Sequence, residues 1–183
     1  MTALSTFRTT KRAGDDAVIQ ALSMGVAAST KIWSGGMVSR DASGYAVPAS
    51  VALTQRVIGV AVEDVDNSTG AAAAKTVKVE RGSFWLNNSA STDAITIADI
   101  GRECFVIDDN TVAKTAGTAG TRQAAGRILG VDATLGVLVE IVSAGDISGE
   151  WTPTFTSGTN TTAGASLVGW YTRTGNIVHF TVC

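Results

Sequence analysis

Short apolar runs alternate with clusters of Gly, Asn, Asp and Ser along the chain from Ala17 onward. Runs of this length, bounded by turn-forming residues, are typical of β-strands. The segment from Thr76 to Glu80 alternates polar and apolar residues, as expected for a strand with one solvent-exposed face. The pattern predicts strands at residues 18–24, 37–40, 45–48, 57–62, 76–80, 83–86, 104–107, 125–131 and 135–142.

Helical signals are few in the same pattern. The segments that fit a helical piece are 18–28, 71–74 and a turn near 92–100, so residues 18–24 fit either a strand or a helix. We therefore expect a mainly β protein with low helix content.

One unit occurs twice in the chain: a strand, an Asp-containing turn, a short strand, a linker and an Arg-apolar-apolar-Gly-Val strand. The first copy runs from Met37-Val-Ser-Arg-Asp41 to Arg56-Val-Ile-Gly-Val60, and the second from Phe105-Val-Ile-Asp-Asp109 to Arg127-Ile-Leu-Gly-Val131. Each unit needs the other to cover its apolar face, which predicts a pseudo-symmetric small β-sandwich or barrel. The alternative is a chance similarity of short β segments.

Composition separates an N-terminal arm from a main domain. Residues 1–16 are polar and carry Arg8, Lys11 and Arg12, which predicts a flexible arm. This arm is either a solvated tail or a segment that orders on a partner surface. Residues 17–145 contain the strands predicted above and form the β-rich main domain.

A second change in composition follows residues 143–149. Residues 150–183 contain two charged residues and three predicted strands, at 151–156, 166–173 and 176–182. The module is aromatic-rich and contains Trp151, Phe155, Trp170, Tyr171 and Phe180. A three-stranded module of this size is marginal alone, so we expect it to pack on the main domain or on another chain. The candidate subunit or receptor contacts are Trp151, Trp170, Tyr171 and Arg173; the alternative is that the aromatic residues form the module's own core.

Charge and hydropathy exclude several classes of protein. Charged residues make up 16% of the 183 residues, and the formal net charge is −2, which argues against a generally basic nucleic-acid-binding surface. No run of 18 apolar residues predicts a transmembrane helix. The basic residues near the start precede no apolar stretch of signal-peptide length, so we expect cytoplasmic synthesis and no membrane association.

The search for catalytic or metal-binding motifs is negative. The chain has no phosphate-binding loop, no Gly-x-Gly-x-x-Gly and no His-Glu-x-x-His. Cys104 lies in an apolar run as a small core residue, Cys183 is terminal, and the single His179 lies in a predicted strand. The acidic clusters at 63–67 and 108–110 do not match calcium-loop spacing and fit turns instead. We therefore expect no enzyme activity, metal or cofactor, with a hydrolase on a β scaffold as the remaining enzymatic alternative.

Three segments of the main domain resemble small bacteriophage head decoration, or capsid cement, proteins. They are Lys31-Ile-Trp-Ser-Gly-Gly-Met-Val, Val57-Ile-Gly-Val-Ala-Val and Gly130-Val-Asp-Ala-Thr-Leu-Gly-Val-Leu-Val-Glu-Ile, with Thr76-Val-Lys-Val-Glu-Arg-Gly82 as the recurring Val-x-Val strand. The resemblance covers roughly residues 17–142.

The tail resembles a different module, found at the ends of phage tail-fibre and other virion surface proteins. Gly149-Glu-Trp-Thr-Pro-Thr and Gly169-Trp-Tyr-Thr-Arg-Thr-Gly-Asn-Ile-Val match its motif. The chain departs from that module at Cys183, where the module continues with further strands.

The resemblance implies a β-tulip-like main domain and a structural role. Such proteins form homotrimers at three-fold positions on the outside of the head, bind the major capsid protein, and stabilise the shell, which would place this chain on the virion after synthesis in a bacterial cytoplasm. In such proteins the N-terminal arm extends onto the shell, which makes Arg8, Lys11 and Arg12 the expected capsid contacts. The alternative is a virion surface protein that binds a host receptor or glycan through residues 150–183.

Overall fold

The structure is a computed structural model that describes residues 5–7, 21–141, 146–151, 169–174 and 177–182, the last three ranges and Ala21 by their backbone. The strands are β1 (Ala21–Gly25), β2 (Thr30–Ile32), β3 (Met37–Arg40), β4 (Ala46–Pro48), β5 (Arg56–Ala61), β6 (Val65–Asn67), β7 (Thr76–Glu80), β8 (Gly82–Asn88), β9 (Glu103–Asp108), β10 (Thr111–Ala113), β11 (Ala124–Asp132), β12 (Gly136–Ile141), β13 (Asp146–Trp151), β14 (Gly169–Thr174) and β15 (Ile177–Val182). Short 3₁₀ helices occupy Ser91–Asp93, Ile97–Asp99 and Thr118–Gly120. The prediction of a mainly β fold with a barrel is confirmed.

The first half of the main domain is a five-stranded sheet in the order β1-β7-β5-β3-β4. All four pairings in it are antiparallel. An isolated parallel bridge joins Val26, the residue after β1, to Ala46 of β4, so the two edges of the sheet approach each other. We call this sheet barrel 1, and strands β2 and β6 pair beside it as a separate two-stranded sheet.

The second half is a closed barrel in the order β10-β8-β12-β11-β9, here called barrel 2. Four of its pairings are antiparallel, and the parallel pairing of β10 with β8 closes it. Written from β8, the order is β8-β12-β11-β9-β10, so each strand of barrel 2 has a counterpart at the same place in barrel 1. The main domain is therefore one five-stranded unit built twice.

The hydrogen-bond register fixes the correspondence of the two barrels residue by residue. Val38 pairs with Gly59 before a bulge in barrel 1, as Cys104 pairs with Gly126 before a bulge in barrel 2. The N–H groups of Gly35 and Gly101 donate to the carbonyls of Ala61 and Ile128 at 2.7 and 2.8 Å, respectively. The segment 57–61 thus corresponds to 124–128, and 33–48 to 99–114.

The repeat predicted from sequence exists, but its predicted register is wrong. The sequence aligned Gly59 with Gly130, whereas the strands align Gly59 with Gly126. A Cβ atom at Gly59 would lie 2.2 Å from the Glu80 carbonyl oxygen, and one at Gly126 would lie 2.3 Å from that of Glu140. At Gly130 the nearest atom would be the Leu138 Cβ at 3.8 Å, an ordinary contact. Close strand approach therefore requires glycine at 59 and 126 but not at 130.

Two apolar clusters form the core of the main domain. One cluster packs barrel 1 against strands β2 and β6 and contains Val26, Ile32, Val38, Ala46, Ala61, Val65, Val77 and Val79. The larger cluster fills barrel 2 and extends into the space between the barrels, where Met37, Ala49 and Val60 join it. Each fully buried aliphatic side chain contributes roughly 1.5–3 kcal/mol of transfer free energy, so no metal or disulfide is needed to explain a stable domain.

The C-terminal strands form a separate three-stranded antiparallel sheet in the order β13-β14-β15. The chain forms two compact units, residues 1–142 and residues 143–183, and this sheet belongs to the second. Strand β13 begins at Asp146, within the composition change at 143–149 and before the strand predicted at 151–156, because its backbone pairs with β14 from Asp146 to Trp151. Residues 152–156 of that prediction lie outside the described residues.

Local predictions outside the main strands have mixed outcomes. The helical interpretation of 18–28 is wrong at residues 21–25, which pair with β7, and residues 71–74 form a turn. The predicted turn near 92–100 is confirmed as two 3₁₀ helices, the second of which begins with a capping box between Thr96 and Asp99. Strands β2 and β6 were missed because three-residue strands carry too little periodicity to detect.

Candidate interaction surface

The outer face of β3 and β5 in barrel 1 packs against barrel 2. Val38 points into barrel 1, so its neighbours Met37 and Ser39 point outward, yet both are fully buried. Met37 lies opposite Val60, and both belong to the apolar cluster of barrel 2. The Met37 N–H donates to the carbonyl of Asp109, in the β9–β10 turn, at 2.6 Å. The two barrels are thus joined by an apolar contact with a backbone hydrogen bond at its edge.

A buried amide fixes the orientation of the two barrels. Gln123, just before β11, is 2% exposed. Its Nε2 donates to the Ser50 carbonyl at 2.9 Å and to Gln55 Oε1 at 3.0 Å, and its Oε1 accepts from Ser39 Oγ at 3.2 Å. Buried polar groups that are fully hydrogen-bonded favour one geometry over others. These hydrogen bonds therefore favour one arrangement of the two barrels.

The equivalent outer face of barrel 2 carries charges. The register places Glu103 at the position of Met37 and Arg127 at that of Val60, and the two lie opposite each other on β9 and β11. Both residues are exposed. Partial burial of its carboxyl group raises the pKa of Glu103. We call this surface, formed by Glu103, Phe105 and Arg127, the β9/β11 face.

Barrel 2 contacts barrel 1 through the β9–β10 turn and Gln123. The corresponding residues of barrel 1 are the β3–β4 turn and Arg56. Arg40 lies directly opposite Arg56, and both side chains are exposed. Like charges opposite each other on a sheet repel, so this pair weakens the isolated sheet. The Arg56 Nη1 donates to the carbonyls of Leu53 and Gln55, both at 2.8 Å, which holds the guanidinium at the loop. We call Arg40, Arg56 and the turn 41–45 the arginine end.

Two loops present apolar side chains to solvent. Val51 and Leu53, between β4 and β5, are 48% and 54% exposed, and Ile97 and Ile100, between β8 and β9, are 76% and 46% exposed. Exposed apolar residues grouped on loops of a rigid scaffold mark protein-contact surfaces.

The structure describes part of the predicted site. Arg8, Lys11 and Arg12 lie outside the described residues. Trp151 is on β13 opposite Gly169, while Trp170, Tyr171 and Arg173 follow on β14. The backbone thus brings the four predicted C-terminal contact residues onto one three-stranded sheet. Their roles remain predictions.

The described residues offer little for catalysis. Burial raises the pKa of the Cys104 thiol to about 12, and the thiol donates to the Gly126 carbonyl at 3.4 Å, so it stays protonated at neutral pH. His179 lies on β15 opposite Thr172. No group of three His, Cys, Asp or Glu residues suited to a metal ion occurs in the described part of the chain. Within that part, no helix is both long and apolar enough to cross a membrane.

The acidic clusters shape turns, as their sequence indicates. Asp66 accepts from the Ser68 N–H and hydroxyl, Asp64 from the Ser34 N–H at 2.7 Å, and Asp108 from the Asn110 N–H at 3.0 Å. Hydrogen bonds from Ser68, together with Lys31 at 3.1 Å, hold the pKa of Asp66 far below its usual value. These carboxylates are used in local structure.

Sequence reasoning missed the β9/β11 face and Gln123. The internal repeat was the sequence signal for both. With the correct register, the repeat aligns Met37 with Glu103 and Gln123 with Arg56. Comparison with family models, with curated proteins and with solved structures finds no match to this chain.

Proposed function

We propose that this chain is a structural virion protein that binds the outer surface of a phage capsid as a homotrimer and stabilises the head. The motifs of residues 17–142 that resemble capsid cement proteins suggest the role. The proposal names the major capsid protein and further copies of the chain as partners, and it assigns no bond-making or bond-breaking step.

The observation that carries the proposal is the double barrel, joined by the buried Gln123 network, with exposed apolar loop tips at Val51, Leu53, Ile97 and Ile100. A cement protein must bridge neighbouring shell subunits without deforming under load. Two barrels locked by the Gln123 network provide such a body, and the loop tips provide apolar contact area at its surface. This arrangement supports binding between large surfaces.

Stabilisation of a shell follows from mass action. A protein that binds the assembled lattice and not the free capsid subunit lowers the free energy of the assembly by an amount set by its concentration and dissociation constant. At 100 times the dissociation constant the gain is about 2.7 kcal/mol for each site. Summed over many sites, this resists internal pressure without catalysis.

The test is sedimentation of the purified chain with shells assembled from the major capsid protein of the same genome. We expect saturable co-sedimentation with one trimer for each three-fold position, and retention of packaged DNA at higher temperature. Replacing Leu53 and Ile97 together by Asp should weaken co-sedimentation, whereas a matched change of the exposed Thr134 to Asp should not. Equal binding by the double variant would contradict the proposed surface.

The C-terminal sheet favours a second candidate function, receptor or glycan binding. Its register places Trp151, Trp170, Tyr171 and Arg173 on adjacent strands, and aromatic residues with an arginine are common in interfaces and sugar-binding sites. A chain lacking residues 143–183 would then lose binding to host cells or a glycan array and keep its capsid occupancy. Unchanged cell binding would reject this second function.

A further inference from the structure

Each barrel has two surfaces of the kind that form the contact between the barrels, one that receives and one that inserts. Inside the chain only one surface of each barrel takes part in that contact. Within the chain, the β3/β5 face of barrel 1 receives the β9–β10 turn and Gln123 of barrel 2. By the repeat correspondence, barrel 2 has the same kind of receiving surface, the β9/β11 face. Barrel 1 has the same kind of inserting surface, the arginine end. Both lie exposed.

We propose that a second copy of this chain docks its arginine end on the β9/β11 face, so that the contact between the barrels is repeated between chains. This proposal rests on the self-association part of the proposed function, and it concerns solution assembly without a capsid. The occupant follows from continuity with the contact already formed inside the chain and from the charges of the two surfaces.

The residues at equivalent positions change together on the two surfaces. Where Gln123 meets Ser39 inside the chain, Arg56 of the second copy would meet Phe105. A guanidinium over an aromatic ring is a favourable pair. Two residues before Phe105, Glu103 stands at the position of Met37. The apolar side chain next to the neutral amide of Gln123 inside the chain would thus be replaced, between chains, by a carboxylate next to Arg56. Phe105 and Glu103 thus each offer a favourable partner to the incoming Arg56.

The charges around Glu103 are compatible with an incoming arginine. Along the outer face of barrel 2, strand pairing places Arg127 between Glu140 and Glu103, so this row carries two carboxylates and one guanidinium. Lys114 lines one pocket with Glu103, Asp99 and Arg102. The Arg127 Nε donates to the Gly101 carbonyl at 3.2 Å, which directs that guanidinium toward its own loop. At the rim, Arg102 lies 3.9 Å from Asp99. A second arginine on Glu103 would also relieve the repulsion between Arg40 and Arg56 in barrel 1.

The proposed contact joins two different surfaces, so it is head-to-tail. A head-to-tail contact leaves one surface of each kind free on a pair of chains, and it closes only as a ring. A ring of three chains would match the proposed trimer and contain six barrels in sequence. Each chain then contributes one internal and one external contact of the same kind.

The experiment measures the mass of the full-length chain by sedimentation over a concentration series. We expect the wild type to form a closed oligomer, and Arg56→Glu and Glu103→Arg each to weaken association about tenfold or more, as reversal of an interfacial charge pair does. The double variant Arg56→Glu/Glu103→Arg should regain most of the lost association. Lys78→Glu, a reversal at an exposed position of β7, serves as the matched control and should associate like the wild type.

Mixing the two single variants tests the head-to-tail geometry. Each variant complements the other at both surfaces, so the mixture should form alternating assemblies with an even number of chains. The double variant can instead form an odd ring. A wild type that stays monomeric, single variants that associate normally, a double variant that stays dissociated, or trimers from the mixture would each overturn the docking proposal. Capsid co-sedimentation by the same variants would show whether the proposed function survives that result.

Discussion

Gly59 and Gly126 show how one atom can determine a repeated structure. Each lies where two strands approach so closely that a side chain would meet the carbonyl oxygen of Glu80 or Glu140. The bulge beside each glycine recurs at the same place in both barrels. Sequence similarity alone selected Gly130 as the partner of Gly59, because a short Arg-apolar-apolar-Gly-Val string carries no information on strand spacing. The register therefore had to come from the structure.

Alanine at either glycine should destabilise the main domain. We expect Gly59→Ala and Gly126→Ala to lower the free energy of unfolding by about 1–3 kcal/mol each, as overpacking does, whereas Gly130→Ala should change it by less than about 0.5 kcal/mol. Urea denaturation followed by tryptophan fluorescence measures all three. Equal effects at 126 and 130 would contradict the assigned register.

Gln123 is the second residue on which the account depends. Gln123→Ala would leave the buried Ser39 hydroxyl without its acceptor, and we expect a loss of about 1–3 kcal/mol. Adding Ser39→Ala should recover part of that loss, because both partners are then removed. A double-mutant cycle measures the coupling, and a coupling energy of zero would show that the amide does not hold the barrels together.

At the scale of elements, strands with clear alternation were predictable and short ones were not. Strands β3, β7 and β9 follow the apolar pattern, whereas β2 and β6 have three residues each. The strand β13 begins earlier than predicted, at Asp146 instead of Trp151, because pairing with β14 supplies hydrogen bonds to residues whose side chains show no apolar alternation. The candidate surface was less predictable than the fold. Glu103 and Arg127 are recognised as a candidate contact only when barrel 2 is compared with barrel 1.

A partly buried ion pair joins the loop between β8 and β9 to the loop between β10 and β11. Asp93, in the first 3₁₀ helix, binds Arg122 and Thr115 from the loop between β10 and β11. Burial acts to raise the pKa of Asp93, but hydrogen bonds from Thr115 and Arg122 outweigh it, so the pKa is lowered. The native state therefore favours the ionised form of this carboxyl group.

This lowered pKa predicts a pH-dependent contribution to stability. A depressed pKa contributes stability that is present above the unfolded-state value of about 3.9 and is lost as the pH falls through the folded-state value. Asp93→Asn should thus lower the free energy of unfolding by about 1 kcal/mol at pH 7, with the difference from wild type shrinking below pH 4. Thermal denaturation of the wild type and of Asp93→Asn, at pH 7 and below pH 4, measures this difference. A difference independent of pH would contradict the ionic origin.

At the scale of the whole molecule, duplication turns a five-stranded unit into two barrels joined by an apolar contact and the hydrogen bonds of Gln123. One barrel contributes an apolar receiving face, and the other an inserting turn and a buried amide. Of the remaining two surfaces, the arginine end carries Arg40 and Arg56, and the β9/β11 face carries Glu103 beside Phe105 and Arg127. The β9/β11 face and the arginine end would connect chains, while the apolar loop tips would contact the shell. In these two proposals self-association and shell binding use different residues, so mutation should separate them.

Cryo-electron microscopy of shells assembled with and without the purified chain tests the central claim most directly. The account predicts added density at the three-fold positions of the outer surface, large enough for three pairs of barrels and absent from shells prepared without the chain. A bare shell at saturating concentrations of the chain, or density confined to another part of the particle, would contradict it.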